Sequence, residues 1–84
     1  MKYSFFWTDR SRKDLEKLPS HRSKRIVDKI ESLSEDPHRT AERCEGYPWY
    51  HQRVGAFRAI LEIDDTELSI SILKLGPGKN IYDR

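Results

Sequence analysis

The stretch FRAILEIDDTELSISI, running from Phe57 to Ile72, decides the fold. Phe57, Ala59, Leu61 and Ile63 fall on one side of an extended chain, and Leu68, Ile70 and Ile72 alternate with Ser69 and Ser71. A period of two is the signature of half-buried strands, because successive side chains point to opposite faces of a sheet. Asp64-Asp65-Thr66 predicts the turn between the two strands. Working upstream, Trp49 to Val54 predicts another strand, joined to the first through Gly55. Downstream, Gly76-Pro77-Gly78 predicts a turn, followed by a short tail ending at Arg84.

The N-terminal half has the other period. After an aromatic strand over Lys2 to Trp7, Thr8 supplies an N-cap and Asp9 a favourable charge for a helix that carries Leu15 and Leu18. Pro19 and Ser20 break that helix and cap a second. In the second, Ile26, Ile30 and Leu33 form an apolar stripe at spacings of four and three, and Ser34 to Pro37 ends it. Residues His38 to Pro48 show no period and read as a connecting loop. The order β-α-α-β-β-β predicts an α+β fold, a two-helix hairpin packed on one face of an antiparallel sheet. The first strand is separated from the others by the helices, so it joins the sheet beside a strand remote in sequence. Residues 1–84 make a single domain, with no room for a second core.

Composition narrows the function classes. Only 36% of residues are hydrophobic and another 36% are charged, so a few large aromatics carry the core and a covering partner would help it. Cys44 is the only cysteine, which excludes an internal disulfide and a cysteine zinc cluster and suits a reducing interior. It reads as a small packing residue. Phe5-Phe6-Trp7 is too short for a signal peptide and no run has the length of a membrane span, so a cytoplasmic protein is expected. No metal, cofactor or small-molecule ligand is expected. The formal charge of +2 is uneven: Arg10 to Lys29 holds eight basic residues against three acidic, whereas Ile30 to Gly46 holds two against five. A locally basic face suits a polyanion or an acidic protein, and equally a solvated helical hairpin.

Alternation also assigns the faces of the strands. Trp49, His51 and Arg53 point together, away from Tyr50, Gln52 and Val54, and Arg58 points opposite to Phe57, Ala59 and Leu61. His51, Arg53 and Arg58 are thus expected on the sheet face that the helices leave open. The run Arg53-Val-Gly-Ala-Phe-Arg58 resembles the Arg-Val-Gly-x-Tyr/Phe-Arg signature of the RelE/ParE toxin superfamily. Leu15-Glu-Lys-Leu-Pro19, the helix from Ile26 to Pro37, Gly46 and Tyr82 fall in that family's order too, so the resemblance spans nearly the whole chain.

The resemblance implies a RelE-like fold and the toxin of a toxin–antitoxin pair, with a RelB-like antitoxin as cognate partner. RelE-like members cut messenger RNA on the ribosome without a metal: a 2′-hydroxyl attacks the adjacent phosphate and leaves a 2′,3′-cyclic phosphate. Such a reaction needs a base near the 2′-oxygen, cations around the phosphorane and a donor for the leaving oxygen. Arg53 and Arg58 match the two strand arginines and would hold phosphate charge. His51 stands where the family has a basic residue and would accept a proton near neutral pH. Tyr82 matches the C-terminal tyrosine that orients the 2′-oxygen or stacks on a base, and Trp49, Lys74 and Lys79 are expected to contact RNA. One departure stands out. Where relatives read Gly-His-Arg or Gly-Lys-Arg, this chain reads Gly76-Pro77-Gly78-Lys79, so an arginine that supports the transition state is replaced by Gly78. The expectation is therefore a weakened nuclease, or alternatively a non-catalytic binding module: a ParE-like gyrase inhibitor, or a degenerate toxin that only engages its antitoxin. Blander roles stay open: cross-strand ion pairs with acids such as Glu62 for the arginines, a surface histidine at His51, and packing for Tyr82.

Overall fold

The computed structural model describes residues 2–78. Its elements are β1 (Ser4–Trp7), α1 (Asp9–Glu16), α2 (Ser20–Glu31), a 3-10 turn (Pro37–Arg39), β2 (Glu42–Arg43), β3 (Tyr50–Val54), β4 (Phe57–Asp64) and β5 (Ser69–Pro77). The strands form one sheet in the order β1-β5-β4-β3-β2. The two helices lie on one face, α1 against β5 and α2 against β3.

Local chemistry explains the boundaries. Thr8 caps α1 as expected, its hydroxyl oxygen accepting from the Ser11 N–H at 3.1 Å. The second helix has no side-chain cap: Pro19 occupies the cap position and Ser20 is already helical, which corrects the expectation for Ser20. Ile26, Ile30 and Leu33 are all buried, and they close over Val54, Ala59, Leu61, Ile70 and Ile72 to form the main core. The alternating residues of β4 and β5 thus face the helices as their period requires. In the turn after β4, Asp64 Oδ1 accepts from the Thr66 and Glu67 N–H groups at 3.0 and 2.9 Å.

Three features depart from the expected outline. The sheet is not wholly antiparallel, because β1 pairs with β5 in parallel, Ser4 opposite Ser69 through Trp7 opposite Ile72. The presumed loop from His38 to Pro48 contains the strand β2, whose Glu42 and Arg43 pair with His51 and Tyr50; two residues are too few to show a period. And Gly76-Pro77 is not a turn but the end of β5, with Phe57 opposite Pro77. Proline is tolerated there for a readable reason. Beyond Ile72 the outer edge of β5 has lost β1, and the Leu75 N–H on that edge is taken by Asp14 Oδ2 at 3.0 Å. The Gly78 N–H points the other way, to the Ala56 carbonyl of the β3–β4 hairpin at 3.1 Å. The nitrogen of Pro77 therefore faces the outer edge, where no ladder partner is needed.

Candidate functional site on the open sheet face

The face away from the helices carries a small second cluster, in which buried Cys44 and Ile60 pack with Trp49 and Leu73. It supports the strand pair that the sequence singled out. Antiparallel register sets Arg53 of β3 directly opposite Arg58 of β4, and His51 opposite Ile60. Ile60 in turn lies opposite Lys74, so Lys74 joins this face from β5. His51, Arg53 and Arg58 line one cavity of about 120 Å³ together with Thr40, Glu42 and Gln52.

Two guanidinium groups directly opposite each other repel, and directly opposed like charges destabilise a sheet. Among the described residues, the ion pairs present leave both without a carboxylate: Glu62 stands opposite Ser71 and pairs with neither. Among the described residues, the cross-strand ion pairs that would give the arginines a merely structural role are absent. An open cavity with two uncompensated planar cations is suited to an anion with several oxygens, such as a phosphodiester.

His51 is held at both ends of its ring. Nδ1 lies 3.6 Å from Cys44 Sγ and Nε2 lies 3.2 Å from Glu42 Oε1. Its side chain is only 15% exposed, while that of Glu42 is 77% exposed. Trp49 is half-buried, one ring face packed against Tyr47 with centroids 5.1 Å apart and planes inclined by 13°. Tyr47, not Trp49, is the more exposed aromatic of that stack. Tyr82 and Lys79 lie outside the described residues.

Gly78 has a steric role that the sequence did not suggest. A Cβ added there would stand 3.0 Å from Arg58 Nε and 3.4 Å from its Cδ, so the bare backbone makes room for the arginine. Sequence reasoning also missed Glu42 and Thr40, both in the stretch without periodicity. Thr40 donates to Gln52 Oε1 at 2.8 Å and Gln52 Nε2 donates to the Arg53 carbonyl at 3.0 Å, which anchors the backbone under Arg53.

A larger cavity, about 320 Å³, opens at the start of α2, where His21, Arg22 and Arg25 stand over an apolar floor that includes Ile26, Val54 and Phe57. Among the described residues no group of histidine, cysteine and carboxylate side chains is arranged to hold a metal ion, and no helix is long and apolar enough to cross a membrane.

Comparison with known proteins gives a consistent picture. The family model described as the ParE toxin of the type II toxin–antitoxin system parDE matches residues 5–82. The structure is similar to the RelBE2 toxin–antitoxin complex of Mycobacterium tuberculosis, with a TM-score of 0.82 and 29% identity over 92% of each chain. It is also similar to the RelB–RelE antitoxin–toxin complex of Methanococcus jannaschii, with a TM-score of 0.71 and 28% identity over 93% of this chain and 95% of that one. A chromosomal ParDE system of P. aeruginosa shares the fold, with a TM-score of 0.73 at 19% identity over 90% of this chain and 96% of that one. No curated protein matches the sequence.

Proposed function

This chain belongs to the ParE toxin family of type II toxin–antitoxin systems, and from that premise we propose that it cuts messenger RNA on the ribosome without a metal. The observation that carries the reading is the opposed pair Arg53 and Arg58, uncompensated by any carboxylate among the described residues and lining one cavity. Their forks would grip the phosphodiester and hold the charge that develops on its oxygens as a 2′-hydroxyl attacks. His51 and Glu42, on the same wall, supply groups able to bind or move a proton. Lys74 and the Tyr47–Trp49 stack extend the same face, where RNA would run.

The partner of this reading is a RelB-like antitoxin. The cavity at the start of α2 fits an acidic segment with an apolar side chain, which would neutralise Arg22 and Arg25 and cover Phe57. An antitoxin chain laid over the helices would also bury surface that a domain of this size leaves exposed.

The test is induced expression followed by primer extension on a translated message. Cuts phased to codons that vanish in Arg58→Ala support the nuclease. A second reading, a non-catalytic ParE-like module acting on gyrase, is favoured by Gly78 standing where RelE-type relatives carry an arginine. Growth arrest with DNA damage and an intact message would establish that one instead.

A further inference from the structure

We propose that Glu42, not His51, takes the proton from the attacking 2′-hydroxyl, and that His51 is the residue that positions it; this rests on the ribonuclease reading above. An ionised carboxylate only accepts hydrogen bonds, so in the 3.2 Å contact with Glu42 Oε1 it is His51 Nε2 that carries the hydrogen. The other ring nitrogen, Nδ1, is turned inward to Cys44 Sγ at 3.6 Å, and Cys44 is itself only 4% exposed. The imidazole therefore presents no lone pair toward the cavity. To act as a base it would have to break its contact with Glu42, swing out of a pocket that leaves its side chain 15% exposed, and give up the thiol contact.

Glu42 needs no such rearrangement. It sits on β2 directly opposite His51, so the strand pairing fixes its backbone, and its side chain is 77% exposed. Among the described residues it is the single carboxylate lining the cavity. Among the described residues its carboxylate accepts one hydrogen bond, from His51, which leaves further lone pairs for an incoming hydroxyl. Among the described residues, Arg53, Arg58 and His51 are the charged or titratable groups that share the cavity with it, and the two arginines would bring the phosphate to the carboxylate's side.

The step balances without a co-reactant. Glu42 takes the 2′-hydroxyl proton as the 2′-oxygen bonds to phosphorus, and the bond from phosphorus to the 5′-oxygen breaks with its electron pair on that oxygen. The 5′-oxygen draws a proton from solvent and Glu42 returns one, leaving a 2′,3′-cyclic phosphate and a 5′-hydroxyl.

The experiment compares message cleavage on programmed ribosomes by the wild-type protein, Glu42→Gln and His51→Gln, between about pH 6 and 8, which spans the imidazole range. Glu42→Gln keeps the size and an oxygen acceptor for His51 but cannot take the proton, so its rate falls by about 10²–10⁴-fold. His51→Gln keeps an N–H donor for Glu42 and loses less. The wild-type rate stays level across the range, because in this assignment the imidazole gives and takes no proton in the step. Circular dichroism and the thermal midpoint show that each variant is folded, which the exposure of Glu42 makes the expected result. A Glu42→Gln protein that cuts like wild type, or a wild-type rate that climbs through the imidazole range and is lost in His51→Gln, overturns the assignment while the ribonuclease reading stands. A wild-type protein that cuts no message overturns the ribonuclease reading itself, and the assignment falls with it.

Discussion

Gly78 and Arg58 are fitted to each other. A Cβ at Gly78 would stand 3.0 Å from Arg58 Nε, tighter than nine in ten real Cβ contacts, so the arginine would have to give way by a few tenths of an ångström. Gly78, the position where the family resemblance implies an arginine, thus gives space to Arg58. Arg58 is flexible, so a methyl group at 78 displaces its guanidinium and leaves the fold intact. On the proposed ribonuclease reading, Gly78→Ala is expected to lower message cleavage by about ten- to a hundredfold, the scale of a misplaced group at the reacting centre. Its thermal midpoint stays within a few degrees of wild type. Primer extension beside a melting curve checks both, and a fully active Gly78→Ala protein would show that the position of Arg58 does not matter.

The opposed arginines predict a trade of function for stability. Arg53 and Arg58 face each other across the β3–β4 ladder with no carboxylate between them among the described residues. Replacing either with alanine relieves a like-charge pair, a gain of roughly 0.2–1 kcal/mol. On the proposed ribonuclease reading the same change removes a phosphate grip, a loss on the order of 10²–10³ in rate. Urea unfolding of Arg53→Ala and Arg58→Ala should therefore give midpoints at or above wild type while cleavage collapses. Lower midpoints in both variants would mean that the arginines serve the fold.

What the sequence disclosed follows from which interactions are periodic. Ile26, Ile30 and Leu33 at helical spacing, and Ala59, Leu61, Ile70 and Ile72 at spacing two, all emerge in the main core. The same alternation put His51, Arg53 and Arg58 on one face, and they share one cavity. Glu42 escaped because β2 has two residues and no period, and because its meaning comes only from standing opposite His51. Gly78 was legible as a missing arginine but not as a space-maker, since the atom it accommodates lies on another strand. The parallel joining of β1 to β5 is a tertiary choice; the aromatic run from Tyr3 to Trp7 fixes a strand there and leaves its direction open.

Asp14 stands in for a strand. Beyond Ile72 the outer edge of β5 has no β1 to pair with, and the Leu75 N–H donates to Asp14 Oδ2 at 3.0 Å. Leu75 is buried, and the Asp14 side chain is only 11% exposed. Asp14→Ala leaves that N–H unpaired, with an expected cost of about 1–3 kcal/mol. Asp14→Asn keeps an oxygen acceptor and should recover most of it. Hydrogen exchange at the Leu75 amide separates this from a general loss: protection falls at that site in the alanine variant and returns in the asparagine one.

A clasp of three side chains gives the fold an acid-sensitive joint. The Tyr3 hydroxyl donates to Asp65 Oδ1 at 2.7 Å, and His38 Nε2 lies 2.8 Å from the same oxygen, so the start of β1, the 3-10 turn and the β4–β5 turn meet at one carboxylate. The hydrogen bond from Tyr3, and then that from His38, hold Asp65 below its ordinary value of 3.8, and the Asp65 contact raises the Tyr3 phenol above 10.0. For a carboxyl group depressed by folding, the contribution to stability is present above its unfolded value and is lost as pH falls through the lower folded one. For the phenol the order reverses: its contribution is present below 10.0 and is lost as pH rises past the folded value. Both contributions coexist from weakly acidic to weakly alkaline solution. Tyr3→Phe removes the leading cause of both shifts, so its unfolding midpoint should fall less than that of wild type as the pH is lowered from about 5 to 3. It should also fall less as the pH is raised past about 10. Equal slopes for the two proteins in the acid range would mean that the Tyr3 hydrogen bond does not hold the Asp65 carboxyl down, and that it contributes nothing to acid stability.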